Sequence, residues 1–330
     1  MTLTIILLLV SAMTIYFSCE FFVNGVEWVG HKFNVSKNAT GTILAAFGTA
    51  LPESVVTFIA VVFGEGSAEK DIGVGAALGG PLVLATVAYA VVGWTFLFVK
   101  KNRDKQLLSS KTEARLARDQ KWFMCMFILK VGLGLIVFAS KPWFAVVFLL
   151  AYAAYVRREM KAADDPDDVD SLEPLKIRPH DQNPKQRWAL LQTGLALIVI
   201  FISSRLFVHQ LGVIGPWLGL SPQMVALLLS PIATELPEIM NAVIWVRQGK
   251  QILALANISG AMMIQATIPS ALGIMFTPWM LDKALIWGAC VTLLSIIGLY
   301  LLLEKNALNA GRLSCFGLFY ILFLAGLYFV

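Results

Sequence analysis

The sequence predicts an all-α membrane protein with ten transmembrane helices arranged as two inverted five-helix repeats. Three observations carry that expectation: the apolar content, the placement of the basic residues, and a short motif that recurs once in each half. Of 330 residues, 58% are hydrophobic and 14% charged, with a mean hydropathy of +0.75. A soluble domain carries about 25% charged residues, and a water-soluble fold of this length could not hide so much apolar surface.

Ten apolar segments can be read in order: Leu3–Val23, Thr40–Phe63, Ile72–Val99, Trp122–Ala139, Pro142–Val156, Trp188–Val208, Gln223–Val246, Ile252–Phe276, Ala284–Leu303 and Leu313–Val330. Several exceed the roughly 18 apolar residues that mark a spanning helix. The first lacks the basic flank and small-residue cleavage site of a signal peptide and is read as a retained helix. The third is long enough to require tilt or a break. The fifth is short, and Arg157 and Arg158 extend it by snorkelling to the surface. Cys19, Cys125, Cys290 and Cys315 all lie in apolar stretches without C-x-x-C spacing, which fits small core residues rather than a disulfide framework or a zinc site.

Orientation follows from Lys and Arg. With the N-terminus outside, only Lys70, Lys141 and Lys283 fall in outer loops, and Lys130 and Arg205 fall inside spans; the other 21 of the 26 basic residues lie in inner loops. That asymmetry fits a cell (inner) membrane and accounts for the net charge of +5, so no nucleic-acid partner is needed beyond the lipid bilayer and small cations. Asp164-Asp165-Pro166-Asp167-Asp168-Val169-Asp170 sits in an acidic cytoplasmic linker, residues 158–187, between a first repeat at 1–157 and a second at 188–330. Five helices per half reverse the second half in the membrane, which is the arithmetic of an inverted repeat.

The halves share T-x-L-P-E: Thr49-Ala50-Leu51-Pro52-Glu53 in the second segment and Thr234-Glu235-Leu236-Pro237-Glu238 in the seventh. A helix beginning with small residues follows each, Gly73–Gly80 and Ala256–Ala261. Proline lacks an N–H and clashes with the carbonyl four residues earlier, so Pro52 and Pro237 should free carbonyls near Gly48–Thr49 and Ala233–Thr234. Irregular backbone at that depth is tolerated only under protein or around a polar cavity. Freed carbonyls beside a carboxylate are hard oxygen ligands suited to calcium and to alkali or alkaline-earth ions. Small residues on the neighbouring helix let the backbones approach. A lipid-facing charge costs about 3 kcal/mol on insertion scales, so Glu53, Glu235 and Glu238 must point inward, toward a cation or toward Lys130 and Arg205.

These residues resemble the alpha-repeats of the calcium/cation antiporter superfamily, the membrane region of sodium/calcium exchangers. The resemblance implies ten helices in two inverted halves and secondary active antiport by alternating access. It also implies calcium as cargo, sodium or protons as counter-ion, and no resident cofactor. Carried over position by position, it implies calcium binding by Glu53 and Glu238 with the carbonyls of Thr49 and Thr234. The chain departs from the family pattern at Ala50 and Glu235, which replace the motif serines. It departs again at Ala76, Gly80 and Pro81, where the G-N-x-x-G-S-N element loses its asparagines and serine. Its counterpart keeps Asn257 and Gly260, and three residues beyond the two elements stand Leu84 and Gln265.

Glu235 adds a third carboxylate, and like charges in a low-dielectric site favour a proton on at least one of them. Exchange of calcium for protons is therefore a second expectation beside exchange for sodium, with pairing of Glu235 to Lys130 or Arg205 as the alternative. Thr57 and Asn241 share helix faces with Glu53 and Glu238, and Gln265 and Asn257 lie on the following helix; these four are candidate supporting ligands. Two rival readings remain. Asp164, Asp165 and Asp168 match a D-D-x-x-D diphosphate motif of prenyl-transferring enzymes, although no second motif accompanies it. Alternatively, the chain is a transport-inactive relative. His31, His180 and His209 are scattered without H-E-x-x-H, so metalloprotease chemistry has no support. Sequence alone leaves the oligomeric state open.

Overall fold

The computed structural model describes residues 2–32, 37–100, 108–162, 173–249 and 251–329. Its helices are α1 (Thr2–Lys32), α2 (Lys37–Phe63), α3 (Ser67–Val83), α4 (Tyr89–Lys100), α5 (Ser110–Leu135), α6 (Ala145–Ala162), α7 (Gln186–Leu218), α8 (Pro222–Thr234), α9 (Leu236–Arg247), α10 (Gln251–Phe276), α11 (Lys283–Glu304), α12 (Ala310–Ser314) and α13 (Gly317–Gly326). No β-strand occurs among the described residues. Six runs are each long and apolar enough to cross a membrane: Thr2–Lys32, Ser67–Val99, Gln186–Leu218, Gln251–Phe276, Lys283–Glu304 and Ala310–Phe329. The chain is thus an integral, multi-pass, all-helical membrane protein. Its outer faces carry exposed apolar side chains such as Leu3, Met13, Ile198, Ile202 and Leu301, as lipid contact demands.

The third apolar segment is indeed interrupted. A π-helical turn, Leu84–Ala88, joins α3 to α4, and the Ser295 hydroxyl donates to the Ala85 carbonyl within it at 2.6 Å. Pro81, one turn earlier, has already removed an N–H from the ladder. The fifth segment gains a 3₁₀ turn, Lys141–Phe144, ahead of α6. Lys141 fixes this corner: its ammonium donates to the carbonyls of Ile136, Pro278 and Trp279 at 2.8–3.0 Å.

Two helices run well past the apolar stretches that announced them. α1 continues past Val23 through Asn24 and Glu27 because those polar groups face protein, not lipid. The segment after the acidic linker packs across α1 and α7: Trp28 Nε1 donates to Glu173 O at 2.9 Å. Backbone N–H groups of Lys176 and Ile177 donate to Asn24 Oδ1 and Gln192 Oε1, both at 3.0 Å, while Leu175 is fully buried. Within the span expected as linker, 158–187, α6 runs to Ala162 and α7 starts at Gln186, and residues 173–177 pack against α1 and α7. The Asp164, Asp165 and Asp168 motif lies outside the described residues.

Helix pairing follows a pattern. α1 packs along α7, α2 along α10, α3 along α8 and α5 along α11. Exchanging the two halves of the chain maps this set of contacts onto itself. Close packing of α3 on α8 depends on the small residues: a Cβ at Gly75 would lie 2.2 Å from the Gln223 carbonyl oxygen, a separation no alanine could adopt. The largest apolar core gathers Tyr89, Phe123, Phe127, Phe148 and Trp279. A smaller one lies between α1, α2, α7 and α8 around Ile15, Val56 and Phe207. Of the helices that carry the polar groups described next, α2 and α8 contribute to both clusters and α9 and α10 to the larger one.

Candidate cation site

Glu53 on α2, Thr234 at the end of α8, Glu235 at the α8–α9 junction, Glu238 in the first turn of α9 and Gln265 on α10 are all buried, none more than 2% exposed. The two halves of the chain meet here. The Thr234 hydroxyl lies in very short contact with Glu53 Oε2, to which it donates. The same hydroxyl is within reach of Glu235 Oε1, 3.2 Å, and of the Ser230 carbonyl, 3.2 Å. Gln265 Nε2 donates to both Glu235 oxygens at 2.9 Å.

The break between α8 and α9 positions these groups. Glu235 has φ −96° and ψ −12° and serves as the last cap of one helix and the first of the next. Pro231 and Pro237 flank it, and each withdraws one N–H from the helical ladder. The freed peptide turns the Glu235 side chain toward α10, while a proline in the first turn of α9 costs that helix nothing. α2, by contrast, continues unbroken through Pro52, with the Ser54 hydroxyl donating to the Ala50 carbonyl at 2.9 Å.

Several polar atoms in the cluster are buried without a hydrogen-bond partner: Glu53 Oε1, both oxygens of Glu238, and Oγ1 of Thr57, Oγ of Ser230 and Oε1 of Gln265. An unpaired buried oxygen costs about 1–3 kcal/mol, and more when charged. Among the described residues no three acidic, histidine or cysteine side chains converge as a ready metal cage; donated hydrogen bonds from Thr234 and Gln265 occupy the carboxylates instead. Close packing reaches the cluster from α3 as well. A Cβ on Gly80 would lie 2.7 Å from Gln265 Oε1 and 2.8 Å from Glu235 Oε1, so only glycine leaves those two side chains room to meet.

Of the residues singled out from sequence, Glu53, Thr234, Glu235 and Gln265 form one hydrogen-bonded group. Glu238 and Thr57 are buried with unsatisfied oxygens on the same helices. Thr49 lies on α2, but its side chain is outside the described residues. Asn241 and Asn257 are half-buried. The alternative pairing of Glu235 with Lys130 or Arg205 does not occur among the described residues: Lys130 donates to the Ala77 carbonyl at 2.9 Å, and Arg205 faces Glu65 at 3.3 Å. Ser230 was missed, although its spacing was readable. Ser230 and Thr234 are four apart and share one face of α8.

Residues 3–159 and, separately, 188–329 match the profile of the sodium/calcium exchanger protein family. The chain belongs to that family. Among its relatives, the inner membrane protein YrbG of Escherichia coli (strain K12) is 26% identical over 288 residues, covering 86% of this chain and 82% of that protein. The putative antiporter CaxA of Alkalimonas amylolytica is 25% identical over 290 residues, covering 86% and 84%. Solved structures share the fold. The H+/Ca2+ exchanger CAX has a TM-score of 0.75 at 17% identity, covering 99% of this chain and 82% of that one. The sodium-calcium exchanger NCX_Mj has a TM-score of 0.57 at 22% identity, covering 99% of each. Within the exchanger family frame, this chain's buried carboxylates occupy both copies of the shared motif.

Proposed function

We propose that this exchanger-family chain is a secondary active antiporter that binds calcium between Glu53 and Glu238 and returns with protons. The observation that carries the reading is the hydrogen bond from Thr234 of one half to Glu53 of the other. It brings motif residues 181 positions apart to one dehydrated point, where unpaired carboxylate oxygens remain. A divalent cation supplies the missing partners of Glu53 Oε1 and Glu238, and the carbonyls at Thr49 and Thr234 complete an oxygen shell of the kind calcium takes. When calcium leaves, Thr234 and Gln265 donate to the carboxylates and protons neutralise them. Neutral occupancy in either form favours switching, because a bare charge cluster at membrane depth costs several kcal/mol.

Ten spans in two inverted repeats provide the frame. Two features support that arrangement: the separate family matches on either side of residues 160–187, and the helix pairs that survive exchange of the halves. On this reading α3 and α4 form one span, α8 and α9 another, and α12 and α13 the last. The repeats are residues 1–157 and 188–330, with the N-terminus outside in a cell membrane and residues 158–187 cytoplasmic. Protons are favoured over sodium as counter-ion because carboxylate and amide groups, rather than the serines and asparagines of the family motif, surround the pair. The structural neighbour CAX is itself an exchanger of protons and calcium.

Proteoliposomes containing the full chain test the reading directly. Calcium uptake should follow an imposed proton gradient at constant sodium and ignore a sodium gradient at constant pH. Uptake that follows sodium alone replaces the counter-ion. No uptake under either gradient removes the antiport reading altogether.

A further inference from the structure

Lys130 lies five residues before the C-terminal end of α5 and is fully buried. Its ammonium donates to the Ala77 carbonyl at 2.9 Å and stands 4.8 Å from the Phe127 ring centroid, a cation–π distance. The acceptor is unusual. In a regular helix the Ala77 oxygen would bond the N–H four residues on, but that residue is Pro81, which has none.

The freed oxygen points along α3 toward the level of Gly80, whose missing Cβ makes room for Glu235 Oε1 and Gln265 Oε1. The ammonium therefore lies on the turn of α3 that carries Gly80, the residue packed against Glu235 and Gln265. None of the ion pairs among the described residues includes it. A proline-freed carbonyl next to carboxylates, at membrane depth, is a ligand set for a monovalent cation. Here a tethered ammonium holds that place.

We propose that Lys130 is a built-in monovalent cation of the site, which keeps sodium off the Ala77 carbonyl and makes the exchanger selective against it. Resting on the calcium reading above, the inference also explains the number of acids. Glu53, Glu235 and Glu238 carry three formal negative charges and Lys130 one positive, so the set presents the charge that one divalent ion neutralises. An ordinary structural lysine would have no such consequence for ion choice.

Calorimetric titration of calcium into purified full-length protein separates these roles, comparing sodium chloride with choline chloride at equal ionic strength. Wild type should bind calcium with the same Kd in both salts. Lys130→Ser should bind calcium about tenfold more weakly in sodium than in choline, as sodium enters the vacated position and competes. Lys130→Arg, which keeps the charge, should be indifferent again. A serine variant that binds calcium equally in both salts overturns the proposal, as does an arginine variant that responds like serine. If Lys130→Ser does not fold, the double variant Lys130→Ser/Glu235→Gln, which removes one charge of each sign, should restore a folded protein; failure to do so also overturns it. A wild type that binds no calcium in either salt defeats the calcium reading instead. Sodium-23 relaxation of the serine variant against wild type then still reads the role of the lysine: added sodium binding supports it and none refutes it.

Discussion

Helix α2 carries Thr49-Ala50-Leu51-Pro52-Glu53 through an unbroken run from Lys37 to Phe63, whereas the matching Thr234-Glu235-Leu236-Pro237-Glu238 falls on two helices parted at Glu235. The shared proline alone does not decide between these outcomes. The second copy differs in two ways: a further proline, Pro231, stands six residues ahead of Pro237, and the residue after the threonine is a carboxylate rather than Ala50. Two missing N–H groups weaken the ladder on both sides of one peptide. Gln265 and Thr234 then hold the Glu235 side chain outside the helical path. In this site one half supplies a stiff helix bearing a single acid, and the other supplies a jointed helix bearing two. Motion during exchange is therefore expected to concentrate at the α8–α9 joint.

Substitutions in the two halves can break or sharpen that contrast. Glu53→Gln and Glu238→Gln should each abolish calcium uptake into vesicles, because either half alone leaves the cation without its charge partner; survival of uptake in one would make the halves unequal in binding as well as in shape. Glu235→Gln keeps the shape and the contact with Gln265, so calcium should still cross, but the dependence of flux on pH should flatten. If that dependence is untouched, Glu235 carries no proton. Thr234→Val removes a hydroxyl shared by carboxylates of both halves, a charged hydrogen bond of about 1.5–3 kcal/mol. Calcium affinity measured by titration should change by about tenfold or more. Gly80→Ala pushes a methyl group between Gln265 and Glu235 and should slow transport several-fold, an overpacking effect of about 1–3 kcal/mol. At the small end, Arg205→Ala disrupts an exposed pair with Glu65, a 3.4 Å hydrogen bond to the Phe63 carbonyl and a contact with the Phe201 ring, and the melting temperature should stay within the shift expected for about 0.5 kcal/mol.

Much of this was legible in the chain. Apolar runs located the helices, since membrane depth admits little else, and the repeated pentapeptide located Glu53, Glu235 and Glu238. Three kinds of feature were not legible. The extension of α1 past Val23 is polar on one face, and hydropathy reads Asn24 and Glu27 as loop because it cannot see the segment from Glu173 to Lys176 that packs on it. The joint at Glu235, against the continuity of α2, depends on Pro231 and on the contacts of Glu235 with Gln265 and Thr234, not on the shared motif. Lys130 looked like a salt-bridge partner for a nearby acid. Its actual acceptor follows from Pro81, and lies on a helix 53 residues away in sequence, a pairing visible only once α3 and α5 are folded.

Calcium stoichiometry by equilibrium titration of the purified chain tests the central claim most directly. One calcium ion per chain in wild type, and none in either Glu53→Gln or Glu238→Gln, is the predicted result. A calcium ion retained at unchanged affinity by either variant would show that the two halves do not share one site.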